Sequence, residues 1–174
     1  SVIAMAVVND SEGKAPADLA SYECVLRAYE YWRVITPDVH LDVRNCLEIV
    51  INNEPDYAQA FAVLANVTID ELLYGYNPRP NMTPPLDRAL AHAQQAVDID
   101  PKSAWAHWAL ARTAYYRHNI RLFRTESDRA LELAPNDTLV LAVAGHFLAY
   151  SGSWERGMSI MAKAIELNPH HQTW

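Results

Sequence analysis

One six-residue phrase occurs three times in this chain, as AVDIDP at residues 96–101, ALELAP at 130–135 and AIELNP at 164–169. The closing prolines Pro101, Pro135 and Pro169 are spaced by 34 residues, which is the period of a helix–turn–helix repeat. A single unit of this kind cannot bury its apolar face alone, so consecutive units stack. The phrase therefore predicts an all-α, right-handed solenoid of about four helix–turn–helix units.

The composition fits a folded helical domain and argues against several other classes. Of the 174 residues, 51% are hydrophobic, with 5 Gly and 10 Pro. With a net charge of -7 and no Lys/Arg run, the sequence offers no basic surface to which nucleic acid would bind. No apolar run approaches the roughly 20 residues of a membrane helix. We therefore expect neither a nucleic-acid partner nor a membrane partner.

The repeat period divides the chain into four units. The prolines and the apolar periodicity place them at about 17–55, 56–101, 102–135 and 136–169. The second unit exceeds the period by 12 residues because of a Pro-rich insertion at 75–85. The first predicted helix begins near Ala17, Thr36-Pro37-Asp38 ends it or begins its partner, and that second helix runs to about Asn53. The third begins at Asp56, and the later ones cover Pro84–Ile99, Ser103–His118, Ile120–Leu133, Thr138–Tyr150 and Trp154–Leu167. Thr83 is the expected N-cap of the helix at Pro84.

The two ends of the sequence do not fit these units. Residues 1–16 read as the end of a preceding domain followed by a linker, so we interpret the chain as a fragment of a larger protein. Residues 170–174 would open a fifth helix, leaving an exposed apolar end or a helix that folds back.

The two cysteines allow two readings. Cys24 and Cys46 could face each other across an antiparallel helix pair, but a pair of buried, reduced thiols is favoured, which agrees with a cytoplasmic location.

With the units laid out, the sequence resembles tetratricopeptide (TPR) repeats over about residues 17–170. The fourth unit carries the pattern best, in Ala144-Gly145, Gly152, Gly157, Ala164 and Pro169. The third unit places Phe123 where the family has a small residue. A narrower likeness over residues 15–58 is to the TPR region of bacterial multidomain regulators that carry a nucleotide cyclase or winged-helix output domain.

The resemblance implies that the first helix of each unit lines a concave groove. Phasing by the Leu-Gly position of the family places a strongly aromatic stripe there. The predicted groove residues are Tyr22, Tyr29, Trp32, Arg33, Gln59, Asn66, Asp70, Trp105, Trp108, Arg112, Tyr115, Tyr116, His146 and Tyr150.

Aromatic and arginine side chains dominate binding hot spots, so this stripe predicts a groove for a peptide with an acidic group near Arg112. The alternative is that Trp105 and Trp108 pack against neighbouring helices, because residues three apart on one helix serve either purpose. The carboxylate clamp of chaperone-binding relatives is incomplete, since Val25 and Ala109 replace its basic residues.

No catalytic or metal-binding pattern is legible in the sequence. The His-Glu-x-x-His, Cys-x-x-Cys and Gly-x-Ser-x-Gly motifs are all missing, so we expect no enzyme activity, no metal and no cofactor. The insertion could close over the groove as a lid, with Tyr76 and Met82 as anchors, or could be a neutral surface loop.

These observations predict a non-catalytic scaffold module of a larger bacterial signalling protein, which binds a peptide or a domain in its groove. The partner could be an output domain of the same parent chain, and self-association is possible. The alternative is a regulatory domain of a nucleotide cyclase or similar enzyme that senses a small molecule.

Overall fold

The computed structural model describes residues 17–169, and within this range the chain forms eight α-helices. The expected linker before Ala17 and the expected fifth helix at 170–174 lie outside the described residues. The helices are α1 (Leu19–Tyr31), α2 (Pro37–Asn53), α3 (Ala58–Tyr74), α4 (Pro85–Ile99), α5 (Ala104–Tyr116), α6 (Ile120–Leu133), α7 (Thr138–Tyr150) and α8 (Trp154–Leu167).

The helices stack as a solenoid. Each helix packs against the next one along the chain, and the first helices of successive units also touch, α1 with α3, α3 with α5 and α5 with α7. The first helices thus form one continuous wall. This arrangement confirms the predicted all-α repeat architecture. Every helix between residues 17 and 169 is too short or too polar to span a bilayer.

Local sequence signals set most helix ends. Asp18, Ser103, Asn119 and Asp137 each accept a hydrogen bond from a backbone N–H of the first turn that follows. The predicted bounds of α6, α7 and α8 are confirmed. The expected cap at Thr83 is wrong, because Pro84 takes the N-cap position of α4 without a side-chain bond.

Small residues let the two helices of the last unit approach closely. A methyl group on Gly157 of α8 would lie 2.5 Å from the Gly145 oxygen and 2.5 Å from the Ala149 nitrogen on α7. In the third unit, Phe123 stands at the position of Gly157 and is fully buried. Its ring packs on Tyr115, with the centroids 5.4 Å apart. The same repeat position is therefore filled by close helix contact in one unit and by an aromatic ring in the other.

The cysteines are disulfide-bonded, so the favoured reading of two reduced thiols is wrong. Cys24 on α1 and Cys46 on α2 have Cα atoms 5.6 Å apart, which suits a disulfide. The helical register produces this approach, since Val25, Ala28 and Leu47 pack in the same core cluster and bring the two helix faces together. Disulfides are rare in reducing compartments, so the bond weighs against a cytoplasmic location, which stays a prediction.

The insertion after α3 contacts α2. The Asn77 side-chain amide donates to the Pro37 carbonyl at 2.7 Å, and Arg79 pairs with both carboxylate oxygens of Glu48 at 2.6 and 2.9 Å. The Asn77 carbonyl accepts a bond from Arg44 at 2.8 Å. These contacts hold the loop against the second helix of the first unit. They do not support its use as a lid over the groove.

Candidate functional site

The wall of first helices carries a polar cross-link made by three helices. Asp70 on α3 accepts a hydrogen bond from the Trp32 indole at the end of α1, at 3.1 Å. It also accepts one from the Arg112 guanidinium on α5, at 2.7 Å. The Asp70 side chain is 2% exposed and that of Arg112 is 14% exposed. A buried carboxylate requires such partners, so this contact fixes α1, α3 and α5 relative to one another.

Arg112 uses its second terminal nitrogen on Asn66. This nitrogen donates to the Asn66 backbone oxygen at 3.1 Å and to its side-chain oxygen at 3.2 Å. The guanidinium also lies over the Tyr116 ring, 5.8 Å from the centroid. Arg112 therefore has an internal carboxylate partner, and an acidic ligand group would have to compete with Asp70 for it.

Burial shifts the pKa values of two tyrosines on this wall. Burial raises the pKa of the Tyr116 hydroxyl, an effect that the nearby Arg112 charge partly offsets. Burial also raises the pKa of Tyr29, which accepts a hydrogen bond from Gln59 at 3.1 Å. Both phenols are consequently neutral hydrogen-bonding groups at physiological pH.

Tyr29 joins the first and third units through ring contacts. Its ring meets Trp32 edge to face at 5.6 Å and Trp105 at 5.7 Å. Trp105 is half-buried, and its indole nitrogen has no hydrogen-bond partner among the described residues. Trp105 thus packs on Tyr29 of α1 and also against the apolar cluster between α5 and α7.

Trp108 belongs to the interior and not to the groove surface. It is 3% exposed and packs edge to face on Phe147 of α7, at 5.3 Å. Tyr115 makes the same kind of contact with Phe147 at 4.9 Å. The packing alternative is therefore correct for Trp108, because its side chain is buried in the apolar cluster between α5 and α7.

The accessible part of the predicted stripe lies toward α7. His146 and Tyr150 are exposed, and their rings lie 4.7 Å apart. Tyr150 is 72% exposed. At the other end of the stripe, Tyr22 is partly exposed and Arg33 is exposed. The structure therefore gathers one contact network, which ring contacts through Phe147 link to the exposed His146–Tyr150 pair. The members of that network are Tyr29, Trp32, Gln59, Asn66, Asp70, Trp105, Arg112 and Tyr116.

Sequence reasoning missed two residues of this wall. Tyr74 ends α3, is 47% exposed, and has a pKa raised by burial and by the Asp70 charge. Phe147 supports Trp108, Tyr115, Tyr116 and His146 by ring contacts. A signal for Tyr74 was present, because all four first helices end on tyrosine, at Tyr31, Tyr74, Tyr116 and Tyr150.

A metal role finds no support within residues 17–169, where no group of three or more His, Cys, Asp or Glu side chains could hold an ion.

The stacked helix pairs and the wall of first helices define a TPR-type solenoid. The chain is similar in structure to TTC0263, a thermophilic TPR protein of Thermus thermophilus, with a TM-score of 0.70 and 16% identity over 89% of this chain and 76% of that one. It is also similar to YrrB, a TPR protein with an unusual peptide-binding site, with a TM-score of 0.51 and 18% identity over 85% of this chain and 69% of that one.

A third similar structure is the human IFIT1 dimer with PPP-AAAA, with a TM-score of 0.62 and 21% identity over 87% of this chain and 33% of that one. No protein-family model matches the chain. No curated protein matches it either. At these identities the likenesses establish the fold, and the ligand has to be argued from the side chains.

Proposed function

We propose that the chain is a non-catalytic interaction module that binds a peptide or a protein domain along its wall of first helices, near α5 and α7. The observation that carries this proposal is the exposed His146–Tyr150 pair, with rings 4.7 Å apart. Ring contacts through Phe147 and Tyr116 connect this pair to Arg112 of the Trp32–Asp70–Arg112 contact. Exposed aromatic rings beside a rigid support are typical of binding hot spots.

The polar cross-link supports the site by holding its helices in place and does not itself contact the ligand. Because Asp70 and Arg112 are already bonded to each other and to two further residues, they hold α3 and α5 in one arrangement before a ligand arrives. Such preorganisation lowers the entropy lost on binding. Mutating Asp70 is therefore expected to loosen the wall, whereas mutating Tyr150 is expected to remove contact area alone.

The charge of the site favours an aromatic or aliphatic peptide over an acidic one. The arginine at its centre is neutralised by Asp70, and the whole chain carries a net charge of -7. Similar folds hold different ligands, since YrrB is described with a peptide-binding site and IFIT1 with PPP-AAAA. The absence of a basic run in this sequence favours the peptide class over the nucleic acid.

Selection from a displayed peptide library would test this proposal. A peptide selected on the whole chain is expected to bind at least about tenfold more weakly to Tyr150→Ala or His146→Ala, as hot-spot residues do. The matched control is Trp154→Ala on α8, which is 62% exposed but lies outside the wall. Equal affinity of all three variants and the parent chain would rule out the proposed site.

The small-molecule alternative, which relied on the aromatic groove and on the insertion as a lid, is less favoured than the peptide reading. The contacts of Asn77 and Arg79 hold that insertion on α2 instead. The parent protein, proposed to be a bacterial signalling protein related to cyclase-type regulators, and the cytoplasmic location remain proposals that rest on the sequence.

A further inference from the structure

A histidine without solvent contact joins the insertion to the helices. His40 of α2 is 0% exposed. Its ring lies 5.8 Å from Tyr31 of α1 and 6.0 Å from Tyr76 of the insertion, both edge to face. Its ring nitrogens face Val67 of α3 and Asn77 of the insertion. His40 therefore connects the docked loop to α1 and α3 as well as to its own helix.

The partners of the two ring nitrogens define its protonation state. Nε2 lies 3.1 Å from the Val67 carbonyl oxygen, which only accepts, so Nε2 carries a proton. Nδ1 lies 3.1 Å from the side-chain nitrogen of Asn77. That nitrogen also lies 2.7 Å from the Pro37 carbonyl oxygen, which fixes it as the amide donor. Nδ1 must then accept, and the imidazole in this structure is neutral.

Protonation of His40 is incompatible with these contacts. A proton on Nδ1 would point at the Asn77 amide hydrogens. Rotating the amide would place its oxygen against the Pro37 carbonyl oxygen, so neither orientation satisfies both neighbours. Asn77 itself has a left-handed backbone with φ of 48°, a conformation that asparagine adopts more readily than most residues.

The groups around the ring shift the pKa of His40 in opposite directions. Burial lowers the pKa of His40 and the Arg44 guanidinium lowers it further, whereas the Val67 hydrogen bond and the Asp70 and Glu71 carboxylates raise it. Burial outweighs the rest, and the pKa lies below the ordinary 6.5. Asp70 and Glu71 are themselves paired with arginines, which limits their effect on the ring.

We propose that His40 is an acid-sensitive latch that holds residues 75–84 on α2 while its ring is neutral and releases them when it is protonated. The sign follows from linkage. The pKa of His40 is lower in the docked state than its ordinary 6.5, so the undocked state takes up a proton first as the pH falls. The docked state is therefore favoured above pH 6.5 and becomes less favoured as the pH falls below 6.5. The undocking equilibrium constant then rises up to about tenfold per pH unit, until the pKa of the docked state is passed.

Release would also alter the edge of the binding wall. Tyr76 stacks on Tyr74 at 5.3 Å, and Tyr74 ends the helix that carries Asp70. Undocking removes that stacking partner and frees the exposed Tyr74 ring. Acid would thus change the surface at the end of α3 without breaking the Asp70–Arg112 pair.

NMR titration of the whole chain from about pH 8 to about pH 5, a range that brackets the ordinary histidine pKa, tests the latch. The His40 ring nitrogens are expected to change from the Nε2-protonated form to the imidazolium form, and the Tyr76 and Asn77 signals to move with the same midpoint. His92→Gln on α4 is the control, since His92 packs on Phe61, and it should leave the midpoint unchanged.

Two variants separate the latch from a general acid effect. In His40→Gln the loop signals should no longer respond to pH, and in Asn77→Ala they should be shifted toward the undocked form already at neutral pH while His40 still titrates. Protonation of His40 without movement of the loop signals would refute the latch. A loop midpoint that persists in His40→Gln would refute it equally.

Discussion

Apolar clusters run through both halves of the molecule, but units one and two add a disulfide and a buried ion cluster, whereas units three and four add close contacts of small residues and a group of aromatic rings. The first half contains the Cys24–Cys46 disulfide and the buried Arg44–Glu71–Arg88 cluster. The second half contains the Gly145–Gly157 approach and the rings around Phe147. The half that departs most from the 34-residue pattern contains these extra cross-links, which supplement repeat packing in aligning its helices.

The largest expected effect is in the buried cluster of the first half. Glu71 is paired with Arg44 at 3.1 Å and with Arg88 at 2.7 Å, and its side chain is 2% exposed. Glu71→Gln leaves two guanidinium groups without a counter-charge, which should cost about 3–5 kcal/mol of unfolding free energy in urea.

The matched control for that change is Glu48→Gln, which breaks a partly exposed ion pair with Arg79. Its expected cost is below about 1 kcal/mol. If the two variants proved equally stable, polar contacts would not be what aligns the first two units.

Reduction of the disulfide should have the next largest effect. The bond closes a loop with a sequence separation of 22 residues, for which chain entropy predicts about 3 kcal/mol. Reductant should lower the melting temperature of the parent chain. The double variant Cys24→Ser/Cys46→Ser should melt at one temperature with or without reductant, and a parent chain insensitive to reductant would contradict the expected stabilisation.

Gly157→Ala tests the packing of the second half. The added methyl group would lie 2.5 Å from backbone atoms of α7, so the helices must separate, at about 1–3 kcal/mol. Ser159→Ala, on the exposed side of the same helix, should stay within about 0.5 kcal/mol of the parent. Urea unfolding measures both, and an unchanged Gly157→Ala would show that close approach does not stabilise this unit.

The smallest expected effect is at His107, where the surroundings raise the histidine pKa, whereas those of His40 lower it. Its Nε2 lies 2.9 Å from the Pro101 oxygen and its Nδ1 lies 2.6 Å from Glu126, so both nitrogens face acceptors. Burial lowers its pKa, but the Glu126 and Pro101 hydrogen bonds raise it above 6.5 overall.

The stabilisation of the folded state by protonated His107 is therefore fully present below pH 6.5 and is lost as the pH rises through the folded-state pKa of His107. Glu126→Gln should remove about 1 kcal/mol at about pH 6 and less at about pH 9, measured by urea unfolding. A loss that grows with pH would contradict this assignment.

The sequence predicted the regular half more accurately than the irregular half. The bounds of α6, α7 and α8 follow from the 34-residue spacing and from local signals such as Gly152, whose φ is 93°. The start of α4 was misplaced because two consecutive prolines, Pro84 and Pro85, both suit a first turn. Periodicity is local information, and an insertion interrupts it.

For the candidate site, the sequence predicted that several side chains share one wall but did not predict the contacts that each of them makes. Helical phasing placed Asn66, Asp70 and Arg112 on one wall, and the structure brings them within hydrogen-bond distance. Phasing could not show that Trp108 is buried beneath Phe147 while Tyr150 is exposed. Residues of one stripe differ in depth according to the neighbouring helix, which a single-helix pattern does not include.

By itself, the sequence determined the repeat period, the helical content and the wall to which each first helix belongs, because these depend on patterns within single helices and on their regular recurrence. Only the tertiary structure decided that Arg112 pairs with Asp70, that Cys24 is bonded to Cys46 and that the insertion lies on α2. Those partners are far apart in the chain, and their meeting depends on how consecutive units stack.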